Sequence, residues 1–305
     1  MPIAPPSAVI DAVQAQLGPL RAGPAPLGGG ITNHNFRARF GDTEVVVRIA
    51  GRRTDLLGID RGAERLATEA AARLGLSPEV LAFLPEHGCL VTRFVAGEPV
   101  DEAQLRDEPC LSAVARELRA FHEHGPQLPT AFDVPQIARS YLVTASDAGA
   151  DVPATASDAV RVAERIAAAL GGEEHAPVPC HDDLLTANFI RDGDRVWIVD
   201  WEYAAMGDRY FDLGNLSVNN GFTDADDERL LQAYWDESPT PRRVAALRLM
   251  RAMSDVREAL WGVVQGAVSD LEFDFAGYAA RHLVRLRATT TDPRFERWLN
   301  DAATP

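Results

Sequence analysis

Between Cys180 and Asn215 the chain reads CHDDLLTANFIRDGDRVWIVDWEYAAMGDRYFDLGN, and this stretch constrains the fold more than any other. Two apolar segments, 188–190 and 196–199, flank the polar turn Asp192-Gly193-Asp194, which is the pattern of a β-hairpin. Closing that hairpin brings Asp183, Asn188 and Asp200 to one end. Two carboxylates and an amide oxygen beside a tight turn make a hard-oxygen site suited to Mg²⁺ and a phosphate.

The preceding sequence supplies a sheet. After a short helix over 7–17, a strand runs into Leu27, a glycine-rich turn follows at Gly28-Gly29-Gly30, and strands are expected over 36–40 and 44–49. Residues 60–75 are rich in Ala, Glu and Arg and end at Gly75, which predicts a helix. Two further strands, 80–84 and 89–94, meet at Glu86-His87-Gly88. Past Pro99 the pattern turns helical, over 111–122, 137–145, 159–170, 225–236, 241–269 and 274–288, with a small-residue loop at 146–157. The expected class is α+β with two lobes: residues 1–95 as a small antiparallel sheet with one helix, and residues 96–305 as a larger, mainly helical lobe.

Composition narrows the chemistry. The 305 residues include no lysine, so every permanent side-chain cation is an arginine. A phosphate must therefore be held by Arg, by backbone N–H groups or by a metal; a P-loop, which ends in Gly-Lys-Ser or Gly-Lys-Thr, is excluded. The net charge of −15 argues against nucleic acid as a partner and favours cationic small molecules. No apolar run reaches the length of a membrane span. The first residues, MPIAPPSAVIDAV, lack the basic start of a secretory leader. Three scattered cysteines, Cys89, Cys110 and Cys180, suit a reducing compartment, so a cytoplasmic location is expected.

The glycine-rich turn leads into a strand rather than a helix, which counts against a Rossmann dinucleotide site. Its backbone, with Gly29, Gly30, Thr32 and Asn33, can approach a phosphate closely. Arg48 interrupts the apolar run VVVRIA, and Glu69 lies on the next helix; a pair between them leaves the cation to hold α- and β-phosphates. In HDDLLTAN the spacing of His181, Asp183 and Asn188 matches a kinase catalytic loop, where an Asp meets the acceptor hydroxyl and an Asn five residues on binds Mg²⁺. Asp200 follows at the end of an apolar strand, as a second metal-binding Asp does. His181 reads as a hydrogen-bonding residue, and Asp182 as a supporting or surface residue. Glu202 and Tyr203, two and three residues after Asp200, are candidates to bind a cationic acceptor close to the reaction centre. Glu258, Trp261 and Gln265 recur at i, i+3 and i+7, so they share a helix face, as a pocket wall for an ammonium group would.

These motifs resemble the choline/ethanolamine kinase branch of the aminoglycoside-phosphotransferase-like kinases. The similarity is carried by GGGITNHNFR, by VVVRIAG with Arg in the usual lysine position, by CHDDLLTANFI, by VDWEYAAMGDRYFDLGN and by SDVREALWGVVQGAVS. It implies a protein-kinase-like fold and ATP- and Mg²⁺-dependent phosphorylation of a small-molecule hydroxyl. In that case Asp183 is the catalytic Asp, Asn188 and Asp200 are metal ligands, Arg48 with Glu69 is the phosphate-holding pair, and adenine docks near Thr92 and Phe94. Choline or ethanolamine is the expected acceptor, with an aminoglycoside, thiamine or another sugar or amino alcohol as the alternative. One departure bears on that choice. The run after FDLGN is LSVNNGF, with Asn219 and Asn220 where choline kinases carry an acidic residue. The intact Asp183, Asn188 and Asp200 set argues against a catalytically silent nucleotide binder.

Overall fold

The computed structural model describes residues 4–28, 33–51, 54–150, 152–269 and 273–303. Helix α1 (Ser7–Leu17) leads into strands β1 (Leu20–Leu27), β2 (Asn33–Phe40) and β3 (Thr43–Ala50). Helix α2 (Arg61–Arg73) follows, then β4 (Val80–Leu84) and β5 (Cys89–Arg93). The five strands form one antiparallel sheet in the order β1-β2-β3-β5-β4. Alternation decides its faces: Phe36, Ala38 and Phe40 of β2 and Val45 and Val47 of β3 are buried with Val9 and Val13 of α1. Arg48 is on the opposite face from Val47, and this aims it at α2.

Helix α2 starts at Asp60, whose side chain accepts the Ala63 amide at 2.7 Å, a standard N-cap. Its Ala67, Ala70 and Ala71 do not join the core of the sheet. They pack into the larger core, with Leu105, Leu118 and Phe189. Glu64 is buried on that helix too, whereas Glu69 is half-exposed. Five residues at about 100° each put the two carboxylates about 140° apart round the helix.

The remaining elements are β6 (Glu98–Pro99), α3 (Glu102–Arg106), α4 (Glu108–His124), α5 (Val134–Asp147), α6 (Ala154–Ala169), β7 (Val178–Cys180), β8 (Phe189–Asp192), β9 (Arg195–Ile198), β10 (Ala205–Gly207), α7 (Arg209–Asn219), α8 (Asp224–Trp235), α9 (Pro241–Val268), α10 (Phe275–Thr290) and α11 (Phe295–Ala303). Helix α9 is the axis of this part. From Ala245 to Val268 it is buried almost all round, as a helix enclosed by others must be. Helix α7 lies tight against it: a Cβ on Gly214 would sit 2.6 Å from the Met250 backbone, so the glycine of FDLGN is a packing requirement. The expected hairpin is β8–β9, in the register Phe189↔Ile198 to Asp192↔Arg195. The short pair β7–β10 and helix α11 were not expected from the sequence, although α11 has the helical spacing in its buried Phe295, Leu299 and Ala302. No described helix is long and apolar enough to cross a membrane.

Candidate active site

The hairpin register puts Asn188 opposite Val199, whose amide it accepts through its carbonyl at 3.0 Å, and Asp200 follows directly. Asn188 Nδ2 donates to the Asp183 carbonyl at 2.8 Å. The three expected oxygen-bearing residues therefore gather at one end of β8–β9. Two of the joints are in the left-handed region, Asp182 and Asp200, each with φ of 66°. Asp tolerates that conformation better than most residues, but it still costs about 1–2 kcal/mol.

Helix α7 offsets that cost. The Asp212 carboxylate accepts the amides of Asp182 at 2.7 Å and His181 at 2.8 Å. Asn215 Oδ1 takes the Leu184 amide at 2.5 Å, and Asn220 Nδ2 donates to the Leu184 carbonyl at 2.9 Å. Asn220 is thus a brace for the 181–188 loop, while Asn219 accepts from Arg285 at 3.1 Å. Behind Asp212, His122 Nε2 lies 2.9 Å away and the His122 Nδ1 meets Tyr234 Oη at 2.7 Å. Burial works against ionising Asp212, but the His122 hydrogen bond and its neighbours hold its carboxyl below the usual value.

His181 is a structural residue. Its Nε2 faces the Val199 carbonyl at 3.0 Å and its Nδ1 accepts the Asp183 amide at 3.2 Å, so the neutral imidazole with Nε2 protonated satisfies both. Burial lowers its pKa, in keeping with that tautomer. Asp182 departs from the surface position considered for it: it is fully buried, and burial pushes its carboxyl well above the ordinary range.

Asp183 keeps partial access to solvent. Its Oδ1 faces Arg257 Nη1 at 3.3 Å. Burial pushes its carboxyl up to about 8, against the pull of Arg257.

A second cluster joins the sheet to the hairpin. Arg48 pairs with Glu64 and with Asp200, and lies 3.9 Å from Glu202. Arg61 bridges Glu64 at 2.7 Å and Glu202 at 3.2 Å. Asn33 Nδ2 donates to Glu202 at 3.0 Å. The carboxylate expected to hold Arg48 was Glu69; the structure corrects this to Glu64. Glu69 is on the outer side of α2 and its partner is Arg65 at 3.8 Å. The sequence offered both residues on one helix, and the helical phase decides between them. Glu202 is buried among N-terminal groups, so its carboxylate serves this cluster instead of lining an acceptor wall with Tyr203. Arg61 was missed by the sequence reading; its position three residues before Glu64 was the available signal.

Tyr203 and Trp261 do come together: Trp261 Nε1 donates to Tyr203 Oη at 2.8 Å. Tyr278 and Phe275 of α10 stand edge-on to Trp261, with ring centroids 5.5 and 5.9 Å away. Tyr278 Oη donates to Glu258 at 2.7 Å. Gln265 is buried one turn beyond Trp261 on α9. Thr92 lies inside the sheet opposite Val46 and Val80, and the Phe94 amide donates to the Glu44 carbonyl at 2.9 Å. Gly29, Gly30 and Thr32 lie outside the described residues.

The chain resembles known proteins in sequence and fold. The model of the phosphotransferase enzyme family matches residues 24–247. A choline/ethanolamine kinase family protein from Mesorhizobium loti is 32% identical, with a TM-score of 0.80 over 97% of this chain and 99% of its own. Ethanolamine kinase 1 of Mus musculus is 27% identical over 298 residues, spanning 82% of this chain and 79% of its own. The structure of LicA in complex with AMP is 22% identical, with a TM-score of 0.74 over 93% of this chain and 98% of that one, and shares the fold. With a protein-kinase-like architecture and matches of this extent, the chain belongs to the phosphotransferase enzyme family, in its choline/ethanolamine kinase branch.

Proposed function

We propose that this chain transfers the γ-phosphoryl group of ATP to the hydroxyl of a cationic amino alcohol, choline or ethanolamine. The observation that carries this reading is the proximity of Asp183 to an aromatic wall through shared neighbours. Arg257 touches Asp183 and lies 4.2 Å from the Tyr203 ring centroid, and Tyr203 bonds Trp261. Aromatic faces beside carboxylates are what an ammonium group requires. The acidic net charge supports the same choice and disfavours nucleic acid as a partner.

Two lobes divided near residue 95 then share the work. Arg48, held by Glu64, serves the nucleotide phosphates, together with the glycine-rich turn and Asn33. The AMP bound by LicA is the precedent for a nucleotide here. With the Phe94 amide already engaged, the adenine takes backbone groups at Val95. Asn188 and Asp200 fit a divalent cation: one Asn188 nitrogen is committed to Asp183, which leaves its oxygen, and Asp200 adds a partly accessible carboxylate. Mg²⁺ there would neutralise charge on the phosphates during transfer.

Asp183 orients the acceptor hydroxyl. As the acceptor oxygen bonds to the γ-phosphorus, the bond to the ADP oxygen breaks and the hydroxyl proton passes to Asp183. Buried, unpaired Cys89, Cys110 and Cys180 suit a reducing cytoplasm.

The test is ADP release over a panel of choline, ethanolamine, thiamine, aminoglycosides and amino sugars. Choline or ethanolamine should give the highest kcat/KM. Turnover confined to a neutral sugar or an aminoglycoside would reject the amino-alcohol reading.

A further inference from the structure

Arg257 on α9 was not singled out from sequence, and its environment is unusual. It is 1% exposed. Removing a guanidinium from water costs several kcal/mol, which close partners must offset. Arg257 Nη1 meets Glu258 Oε1 at 2.7 Å and Asp183 Oδ1 at 3.3 Å, and the guanidinium lies over the Tyr203 ring. Among the described residues its Nε and Nη2 find no hydrogen-bond partner, although both are buried. A residue kept for stability alone would use its donors more fully, since each unmet buried donor costs about 1–3 kcal/mol. The contacts Arg257 does make all point to the reaction. Asp183 is the proposed acceptor of the proton, and Tyr203 belongs to the aromatic wall. Glu258 also holds Tyr278 and faces Asn215, which braces the Leu184 amide.

We infer that Arg257 is a positioning residue for phosphoryl transfer: it pins Asp183 by Oδ1 and leaves Oδ2 for the acceptor hydroxyl. This rests on the amino-alcohol reading above. Arg257 also sets the local charge. Its guanidinium cancels the charge of the Glu258 carboxylate beside the wall. Removing it leaves that negative charge uncompensated, which a cationic acceptor tolerates. The consequence is a split that loose packing does not produce: kcat falls while the acceptor KM does not rise.

The experiment compares wild type, Arg257→Met and Arg257→Lys, with folding checked by thermal unfolding and near-ultraviolet circular dichroism. Arg257→Met should lose about 10²-fold in kcat, the scale of a carboxylate misplaced by about 1 Å. Its KM for the acceptor should be equal or lower, and its KM for ATP unchanged. Arg257→Lys keeps the charge without the planar fork, and should recover kcat to within about tenfold of wild type. If Arg257→Met does not fold, Arg257→Lys decides alone: kcat reduced about fivefold or more at unchanged ATP KM supports the inference. A kcat within about fivefold of wild type for Arg257→Met, or for Arg257→Lys where only that variant folds, overturns it, and so does a raised acceptor KM at unchanged kcat. Absence of turnover of any amino alcohol by wild type would instead overturn the functional reading beneath it.

Discussion

Asp212 accepts the amide of Asp182 at 2.7 Å and so holds a residue with positive φ in place, directly before the proposed reactive carboxylate. The same carboxylate takes the His181 amide and a His122 nitrogen. Asp212→Asn keeps the size but turns an NH₂ toward a donor. We expect a loss of about 2–4 kcal/mol in unfolding free energy, the range for a broken buried charged network. Urea denaturation measures it, and a loss below about 0.5 kcal/mol, the level of an inert surface change, would show that α7 does not brace the loop.

Glu64 and Glu69 give a paired test of the nucleotide site. Glu64→Gln removes the buried partner of Arg48 and should lower kcat/KM for ATP by about 10–100-fold, or about 1.4–2.8 kcal/mol. Glu69→Gln loses only an outer contact with Arg65 and should leave kcat/KM for ATP within about twofold of wild type, a change of no more than about 0.5 kcal/mol. Steady-state kinetics with varied ATP separates the two. Equal effects would remove the assignment of Glu64.

Trp261→Ala tests the acceptor wall. A cation over an aromatic face is worth about 0.5–2 kcal/mol, so the choline or ethanolamine KM should rise up to about 30-fold, with the ATP KM unchanged. An unaltered acceptor KM would take Trp261 out of the pocket.

Glu117 on α4 predicts a pH effect on stability. Burial pushes its carboxyl up to about 7 from 4.5, and its Oε2 has no hydrogen-bond partner among the described residues. Between these values the folded chain keeps a proton that the unfolded chain has released. Protonation therefore favours the fold, and this residue's contribution to stability falls as pH rises from 4.5 to 7. Glu117→Gln should be more stable than wild type by up to about 3 kcal/mol at pH 8 and nearly equal to it near pH 4.5. A difference independent of pH would contradict the buried-carboxyl account.

Much of this was legible in the chain because the signals are local. The hairpin holding Asn188 and Asp200 follows from two apolar runs about one polar turn, and the sheet follows from alternation punctuated by glycine. Other features depend on orientation that spacing alone does not fix. Glu64 and Glu69 are both plausible partners for Arg48 until helical phase selects one. Glu202 lies beside Tyr203 in sequence, yet the two are the central residues of a turn closed by the Ala204 amide on the Trp201 carbonyl at 3.1 Å, and Glu202 faces Asn33 and Arg61. Asp182 looks like a surface acid because its burial is imposed from α7, thirty residues away. Asn220 was noted only as standing where choline kinases carry an acidic residue, and in the fold it braces the Leu184 carbonyl. Arg257 sat within a motif already noted, but its role appears only when α9 is packed against the loop.

The most direct test of the central claim is ³¹P NMR of wild type and Asp183→Asn with ATP, Mg²⁺ and choline or ethanolamine. Wild type should convert the γ-phosphoryl group into the acceptor's phosphomonoester with matching ADP. Asp183→Asn, folded and still binding ATP, should slow that conversion by at least about 10²-fold. Monoester formation by Asp183→Asn at a rate near wild type would contradict the account.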